Sequence, residues 1–347
     1  MLNAGIEASF LQMSMPDAFR AILPNQFYYL SKEDLGPKIK ALAPDVIHAH
    51  AEPAWLASFA KECLPDTPVV FDAHDLNYCR SGNKTVEEDE RRALCDSDAV
   101  ILPSYSYQKA VQDGFGVKLS EVIYSMCNAA DIPEYPLARV NGIVYEGGMV
   151  ATSEAEQSKS QMRYNDYRTM AVKLHDMGIA FHCYPGRADY AEEHIKAGVV
   201  WHWAYQHKPL LHQLTRYDWG LVGAPFKNPQ WDMAMPNKLF DYVAAGIPPL
   251  VINAEEAEGY VHGHNEFGVE IGWSIKDISQ LSLPEVYIKH EHYRNVIGKV
   301  RHKFTMDTQM PKLINLYTEA IKRCQQSLKS STVTKAAAKP ALVSAAI

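Results

Sequence analysis

The segment Ala234-Met-Pro-Asn-Lys-Leu-Phe-Asp-Tyr-Val-Ala-Ala-Gly-Ile-Pro-Pro-Leu-Val-Ile-Asn253 contains, in order, the signals for a loop, a short helix, a sharp stop and a buried strand. Asn237 is predicted to cap the helix, because its side-chain oxygen can accept from a free N–H group of the first turn. Gly246 suits the left-handed position after the last turn, and the two prolines that follow exclude further helix. The apolar residues 250–252 then predict a parallel strand that is covered on both faces.

The start of this predicted helix favours an anionic ligand. Its free N–H groups carry partial positive charge, and Lys238 adds a full charge in the first turn, where a cation opposes the helix dipole. A bound phosphate would neutralise both. Asn237 and Asp241 are four residues apart and share a face, so the Asp241 carboxylate is well placed to accept hydrogen bonds from sugar hydroxyls. A capped core helix with a solvated lysine is the alternative that these residues leave open.

Buried strands alternate with helices along most of the chain. The predicted strands cover residues 44–50, 68–75, 98–104 and 121–125, and then 141–148, 179–184, 219–223, 249–253 and 268–273. This alternation implies right-handed crossovers and parallel sheets. Ligands of such sheets bind beyond the carboxyl ends of the strands. The pattern therefore predicts an α/β protein in two halves, with its site at the strand ends.

Polar side chains collect at the ends of the first two predicted strands. Of these, His74 with Asp75 is the first choice for deprotonating an acceptor and positioning a sugar, and His50 is a further catalytic candidate. Together with His48 and Asp72, these residue types also suit a divalent metal. A metal-dependent hydrolase that uses His48, His50 and His74 is therefore one alternative function.

The segment 235–248 resembles the donor site of GT-B glycosyltransferases of the family 4-like type. In that family a short loop and a helix start hold the nucleotide diphosphate, and an acidic residue holds the ribose. Asp241 stands at the acidic position, where glutamate is usual, and Met233 stands at the position of a second acidic residue eight positions earlier. The resemblance covers most of residues 40–325. Its other strong motifs are the segments 44–75 and 98–104.

The resemblance implies a GT-B architecture, in which two Rossmann-like domains with parallel sheets face a central cleft. The expected units are an N-terminal acceptor-side domain at 1–136, a nucleotide-sugar-binding domain at 137–304, a helix that crosses back at 305–329 and a disordered tail at 330–347. Members of the family open with a strand and a glycine-bearing loop, and this sequence is expected to start after them.

The implied activity is transfer of a sugar from a nucleotide-sugar donor to an acceptor hydroxyl, with retention of configuration and without a metal. The donor is a substrate, and no cofactor is expected. The leaving diphosphate gains negative charge, which helix starts, glycine-turn amides and cations can stabilise. The residues predicted to bind the donor are Gly147, Gly148, Arg187, Asn237, Lys238 and Asp241. A catalytically inactive nucleotide-sugar-binding or scaffold protein is a second alternative.

Length and composition agree with a globular protein of about two domains. The 347 residues are 47% hydrophobic and 22% charged, and a net charge of -7 argues against broad nucleic-acid binding. Six dispersed cysteines without a Cys-x-x-Cys pair, and the absence of a leader or an apolar run of membrane-spanning length, predict a cytoplasmic protein without stable membrane insertion. The acceptor stays open among a glycan, a lipid-linked glycan, a small molecule and a modified nucleic acid.

Overall fold

The computed structural model of the protein describes residues 7–13, 25–50, 53–80, 87–151, 165–186 and 189–337. Within these ranges, two large parallel sheets of four and six strands form the two halves of the molecule, and a separate two-stranded pair precedes them. Helices alternate with the strands of both large sheets. The predicted α/β class with two parallel sheets is therefore confirmed.

The first half contains the two-stranded pair and the four-stranded sheet. Its strands are β1 (Phe10–Met13), β2 (Gln26–Tyr29), β3 (Ile47–His50), β4 (Val69–Asp72), β5 (Ala99–Leu102) and β6 (Ser120–Val122). Its helices are α1 (Lys32–Leu42), α2 (Trp55–Cys63), α3 (Asn77–Arg80), α4 (Glu88–Asp96) and α5 (Tyr105–Phe115). The large sheet has the order β3-β4-β5-β6, and all its strands are parallel. Every residue of β5 is buried, which explains its uninterrupted apolar sequence.

The second half contains the six-stranded sheet. Its strands are β7 (Ile143–Glu146), β8 (Phe181–Tyr184), β9 (Val199–Trp201), β10 (Trp219–Gly223), β11 (Pro249–Ile252) and β12 (Trp273–Ile275). Its helices are α6 (Arg168–Asp176), α7 (Ala191–Lys196), α8 (His207–Leu214), α9 (Pro229–Met233), α10 (Asn237–Ala245), α11 (Glu255–Val261) and α12 (Leu283–Val300). The order β12-β11-β10-β7-β8-β9 brings the first strand of this half, β7, into the middle of the sheet.

Helix α10 and the strand after it lie where the opening segment predicts them. Gly246 ends the helix with φ of 78°, the left-handed conformation expected there. The prediction that Asn237 caps the helix is wrong. Pro236 occupies the cap position in an extended conformation, without a side-chain cap, and Asn237 is the first helical residue. The residue before a helix must be extended, and proline is readily held in that conformation.

A tyrosine fixes α10 against the centre of the six-stranded sheet. The ring of Tyr242 fills the space that a side chain at Gly220 would occupy, since a Cβ atom there would lie 2.1 Å from the ring. The Tyr242 hydroxyl accepts a hydrogen bond from the backbone N–H of Glu146 at 3.1 Å and donates to the carbonyl of Leu221 at 3.3 Å. These contacts bring Asp241, the neighbour of Tyr242, to the end of β7.

The last helix, α13 (Met306–Ala337), packs against the first half of the molecule. Its residues Leu313, Leu316, Tyr317 and Ala320 form one buried cluster with Val70, Ala99 and Ile101 of β4 and β5. The helix includes residues 330–337, which the sequence assigns to a disordered tail, and residues 338–347 lie outside the described ranges. The domain boundaries at 136 and 304 stay predictions.

Four strands differ from those expected, because β1, β2 and β9 were not predicted and β12 is shifted. Strand β9 has only three residues at the edge of its sheet, with Val200 exposed, and so lacks a long buried run. Strand β12 begins at Trp273, whereas a strand was predicted at 268–273. Gly268 has φ of 61° and belongs to a turn in which the Asn265 side chain bonds to backbone groups. A left-handed glycine in such a turn excludes an extended strand there.

Candidate functional site

A cavity of about 650 Å³ lies between the two halves of the molecule, at the carboxyl ends of β4, β7 and β8. The first half contributes His74, Asp75 and Pro103 to its lining. The second half contributes the end of β7, the region around Tyr184 and the start of α10. Clefts at the carboxyl ends of parallel strands are where α/β folds bind ligands.

Lys238 lies in this cavity between two aromatic rings. Its Nζ atom is 4.4 Å from the centre of the Tyr145 ring and 5.0 Å from that of Trp231, and it donates to the Tyr145 hydroxyl at 3.3 Å. Gly147 lies beside it with φ of 124°, and a Cβ atom there would approach Nζ to 3.3 Å. The aromatic faces hold the ammonium group without neutralising it, so positive charge remains available to a ligand anion.

The Asp241 carboxylate lies one helical turn after Asn237 and lines the same cavity. Its Oδ1 atom is 2.8 Å from Nε2 of His207, at the start of α8. This hydrogen bond raises the pKa of His207, although partial burial opposes the shift. The contact stabilises negative charge on Asp241, and an ionised carboxylate is an acceptor for hydroxyl groups.

Glu146, which the sequence analysis does not single out, ends β7 next to Asp241. It is only 6% exposed and lines the cavity. Burial, followed by the neighbouring Asp241 carboxyl group, holds the pKa of Glu146 well above its usual range. The available signal is a charged residue that ends the buried apolar run Ile143-Val-Tyr. Its position beside Asp241 depends on the packing of α10, which local sequence does not reveal.

His74 and Asp75 line the opposite wall of the cavity. The Nδ1 atom of His74 lies 3.4 Å from Oδ1 of Asp72, the last residue of β4, and the His74 side chain is 55% exposed. Burial by itself would raise the pKa of Asp72, but hydrogen bonds from His48 and His74 outweigh it and hold that pKa well below its usual range. An ionised Asp72 can orient His74 and stabilise its imidazolium form.

Other histidines of the first half gather around the same aspartate. His48 Nε2 and His50 Nδ1 lie 3.3 and 3.5 Å from Oδ2 of Asp72, and these three residues have potential ligand atoms within 4.8 Å of one another. The other ring nitrogen of His48 is 2.6 Å from the Tyr317 hydroxyl of α13. The sequence-based metal alternative therefore gains a geometric basis, although His74 is not part of this three-residue group.

The remaining predicted site residues differ in position. Asn237 lines the cavity and is exposed at the start of α10. The described residues that line the cavity do not include His50 or Gly148. Arg187 lies outside the described residues.

An aromatic group forms a further wall that the sequence analysis does not identify. The ring of Tyr184, at the end of β8, stacks on His202 with centres 4.4 Å apart and planes at 10°. Tyr205 meets the Tyr184 ring edge-on at 5.7 Å, and both tyrosines line the cavity. Of the four tryptophans in this half that precede α10, Trp231 lines the cavity whereas Trp203 is exposed.

Comparisons with known proteins agree on one architecture. Residues 16–130 match the model of Glycosyltransferase Family 4. A glycosyltransferase from Rickettsia africae ESF-5 aligns with 86% of this chain and 85% of its own, at 11% identity and a TM-score of 0.55. A sucrose-phosphate synthase from Thermosynechococcus elongatus aligns with 84% of this chain and 77% of its own, at 13% identity and a TM-score of 0.55.

A third solved structure is a TarM variant from S. aureus, crystallised with fondaparinux, alpha-GlcNAc-glycerol and UDP. It aligns with 81% of this chain and 58% of its own, at 12% identity and a TM-score of 0.52. No curated protein matches the chain. Among the helices described, none has the length and apolar character needed to cross a membrane. Residues 16–130 are therefore similar to Glycosyltransferase Family 4, and the two parallel sheets give the chain the GT-B fold of these solved structures.

Proposed function

We propose that this glycosyltransferase moves a sugar from a nucleotide-sugar donor to an acceptor hydroxyl, with retention of configuration and without a metal ion. The observation that carries the proposal is that Lys238 and Asp241 line the same cavity as His74 and Asp75, from opposite halves of the molecule. A donor whose diphosphate meets Lys238 would have its sugar between the two walls.

On the donor side, the start of α10 supplies positive charge. The leaving diphosphate gains negative charge as the glycosidic bond breaks, and groups already aimed at that charge lower the barrier. The free amides of α10, its dipole and the ammonium group of Lys238 supply this stabilisation without a metal. Gly147 leaves room for the lysine and for the ligand. Gly148, Asn237 and Arg187 remain proposed donor contacts.

On the acceptor side, His74 is the proposed catalytic base and sugar contact. Asp72 lies within 3.4 Å of its ring and would stabilise the imidazolium that forms when His74 takes a proton. Asp75 lines the cavity next to His74 and is a proposed contact to sugar hydroxyls. His50 remains a proposed contributor through Asp72. Retention of configuration rests on the family resemblance of the donor segment.

Calorimetric titration with a panel of nucleoside diphosphates, in the presence of a chelator, tests this proposal. UDP comes first in the panel, because the TarM structure contains it. Hydrolysis of the matching sugar nucleotide is then measured. Binding together with sugar release supports a metal-free transferase. Binding without release, under conditions where acceptors are also supplied, would favour the inactive nucleotide-sugar-binding alternative.

A metal-dependent hydrolase is the second candidate, and the group His48, His50 and Asp72 is the observation that favours it. Against it, the cavity lining among described residues includes His74 but not His48 or His50. A hydrolase would retain a stoichiometric metal through purification and lose activity with a chelator. The transferase would do neither.

A further inference from the structure

The end of β7 places a buried carboxyl group on the wall of the donor cavity. Glu146 is 6% exposed, and its Oε2 atom is buried without a hydrogen-bond partner among the described residues. A buried, ionised carboxylate without a partner costs several kcal/mol, whereas its protonated form is far cheaper to bury. Glu146 also lines the cavity, so a ligand there can reach it.

The groups that face Glu146 come from α10. Asp241 is its neighbour, and the two carboxyl groups lie within hydrogen-bonding reach of each other. The ammonium group of Lys238 is near enough to favour the ionised form, but its Nζ donates to the Tyr145 hydroxyl. The Tyr242 hydroxyl accepts from the backbone of Glu146 and donates elsewhere. None of these described contacts supplies a donor to the Glu146 carboxyl oxygens.

The carboxyl groups of Glu146 and Asp241 share one proton, and this proton lies on Glu146. His207 approaches Asp241 to 2.8 Å from the side of α8 and stabilises its negative charge. Among the described residues Glu146 has no such hydrogen-bond partner, and burial together with the Asp241 charge holds its pKa well above the usual range. Two carboxyl groups in contact cannot both ionise cheaply. The pair therefore holds one O–H donor on Glu146, which a ligand hydroxyl can accept in place of Asp241, and one ionised acceptor.

This combination matches a vicinal diol better than a phosphate. Each hydroxyl of a diol both donates and accepts, so one can receive the Glu146 proton while the other donates to Asp241. A phosphate offers only acceptors and would be repelled by the Asp241 charge. In a nucleotide-sugar donor, vicinal diols occur in the ribose and in the transferred sugar.

We propose that Glu146 is a donor-binding residue that acts as a neutral acid, binding a vicinal diol of the donor jointly with Asp241. The inference rests on the proposed function, because it requires a nucleotide-sugar donor in this cavity. Glu146 would supply a second acidic residue beside Asp241. The sequence position at which the resemblance expects a second acidic residue is occupied by Met233.

Calorimetry on wild type, Glu146→Gln and Glu146→Ala tests the inference, with Glu192→Gln as the control because Glu192 is an exposed carboxylate on α7. The ligands are the nucleoside diphosphate that wild type binds, its 2′-deoxy analogue and the matching sugar nucleotide. Glutamine keeps a hydrogen-bond donor, so the ligand affinity of Glu146→Gln is expected to stay within about threefold of wild type. Alanine is expected to lose about tenfold or more.

The source of the diol follows from which ligand is affected. If Glu146 binds the ribose, Glu146→Ala lowers the affinity for the nucleoside diphosphate, and wild type already binds the 2′-deoxy analogue weakly. If the transferred sugar is bound, only the sugar nucleotide is weakened. Equal ligand affinities of wild type, Glu146→Gln and Glu146→Ala would overturn the inference. So would a Glu146→Gln variant that binds as weakly as Glu146→Ala.

A pH series separates the neutral acid from other roles. Wild-type affinity is expected to fall as pH rises through the titration of Glu146, because ionisation removes the donor. Glu146→Gln has no such titration, and the groups that remain, His207 and Lys238, act in both proteins. Parallel pH profiles for the two proteins would contradict the inference. If wild type binds no nucleotide at all, the proposed function itself fails, and this inference falls with it.

Discussion

The Glu256 carboxylate accepts a hydrogen bond of 2.9 Å from the backbone N–H of Tyr105, across the boundary between the two halves. Glu256 belongs to α11 and Tyr105 is the first residue of α5, whose start is also bonded through the Ser106 hydroxyl to the same carboxylate. The N-cap residue Ser104 donates in turn to the carbonyl of Met233. A carboxylate from one half thus satisfies the helix start of the other, which favours a closed cleft.

Loss of this carboxylate should loosen the contact between the halves. Glu256→Ala removes two hydrogen bonds to a charged group, worth about 1–3 kcal/mol each in favourable cases. We expect a larger radius of gyration in small-angle X-ray scattering without nucleotide and a higher KM for the donor. Glu255→Ala, the neighbouring acid, which has an ion pair to Lys227 in its own half, is the control. Unchanged scattering and KM in Glu256→Ala would rule out a role in closure.

Removal of Lys238 should weaken donor binding. The ammonium group is held between Tyr145 and Trp231 in the cavity, so Lys238→Ala is expected to raise the Kd for the nucleoside diphosphate about tenfold, the usual effect of losing a charge-assisted contact. Lys289→Ala is the matched control, because Lys289 also lies over a ring, Trp273, but does not line the cavity. Calorimetry makes the comparison, and equal Kd values for wild type and Lys238→Ala would remove Lys238 from the donor site.

His74 should affect turnover more than donor binding. His74→Ala removes the proposed base, and general-base removal costs about 10²–10⁴-fold in rate, whereas the Kd for the nucleoside diphosphate should change little. Asp72→Asn keeps the shape but removes the charge that faces His74, so it is expected to lower kcat in the same direction with a smaller effect. Comparison of kcat with Kd measures this split. Equal losses in both would indicate a binding role only.

The raised pKa of Glu146 predicts a stability change with pH. The folded protein holds the Glu146 proton more tightly than the unfolded chain does. The free energy of unfolding of wild type is therefore highest below the ordinary carboxyl pKa and decreases as pH rises through the folded pKa. Glu146→Gln lacks this titration, so its advantage over wild type should grow with pH. Thermal unfolding between acid and mildly alkaline pH measures the difference. A constant difference at all pH values would argue against a buried neutral acid.

The features that could be predicted are those set by local sequence. The N-terminal amides of α10, Lys238, Asp241 and the stop at Gly246 follow from helix signals within one segment. His74 follows from a strand that ends in polar residues. These signals act over a few residues, and tertiary packing leaves them unchanged.

The parts that could not be predicted depend on contacts between distant segments. Glu146 meets Asp241 only because Tyr242 fits over Gly220 and bonds to β7. His207 reaches Asp241 from a separate helix, 34 residues away in sequence. Neither pairing leaves a periodic pattern. The cap of α10 was assigned wrongly for a related reason, because proline at 236 is already extended and needs no side-chain partner.

Release of nucleoside diphosphate from the matching sugar nucleotide, followed by chromatography with a chelator present, tests the central claim most directly. We expect turnover that a chelator does not reduce, that rises when an acceptor is added and that falls in both Lys238→Ala and His74→Ala. Turnover that disappears with the chelator and returns with a divalent metal would contradict a metal-free transferase and favour the site at His48, His50 and Asp72.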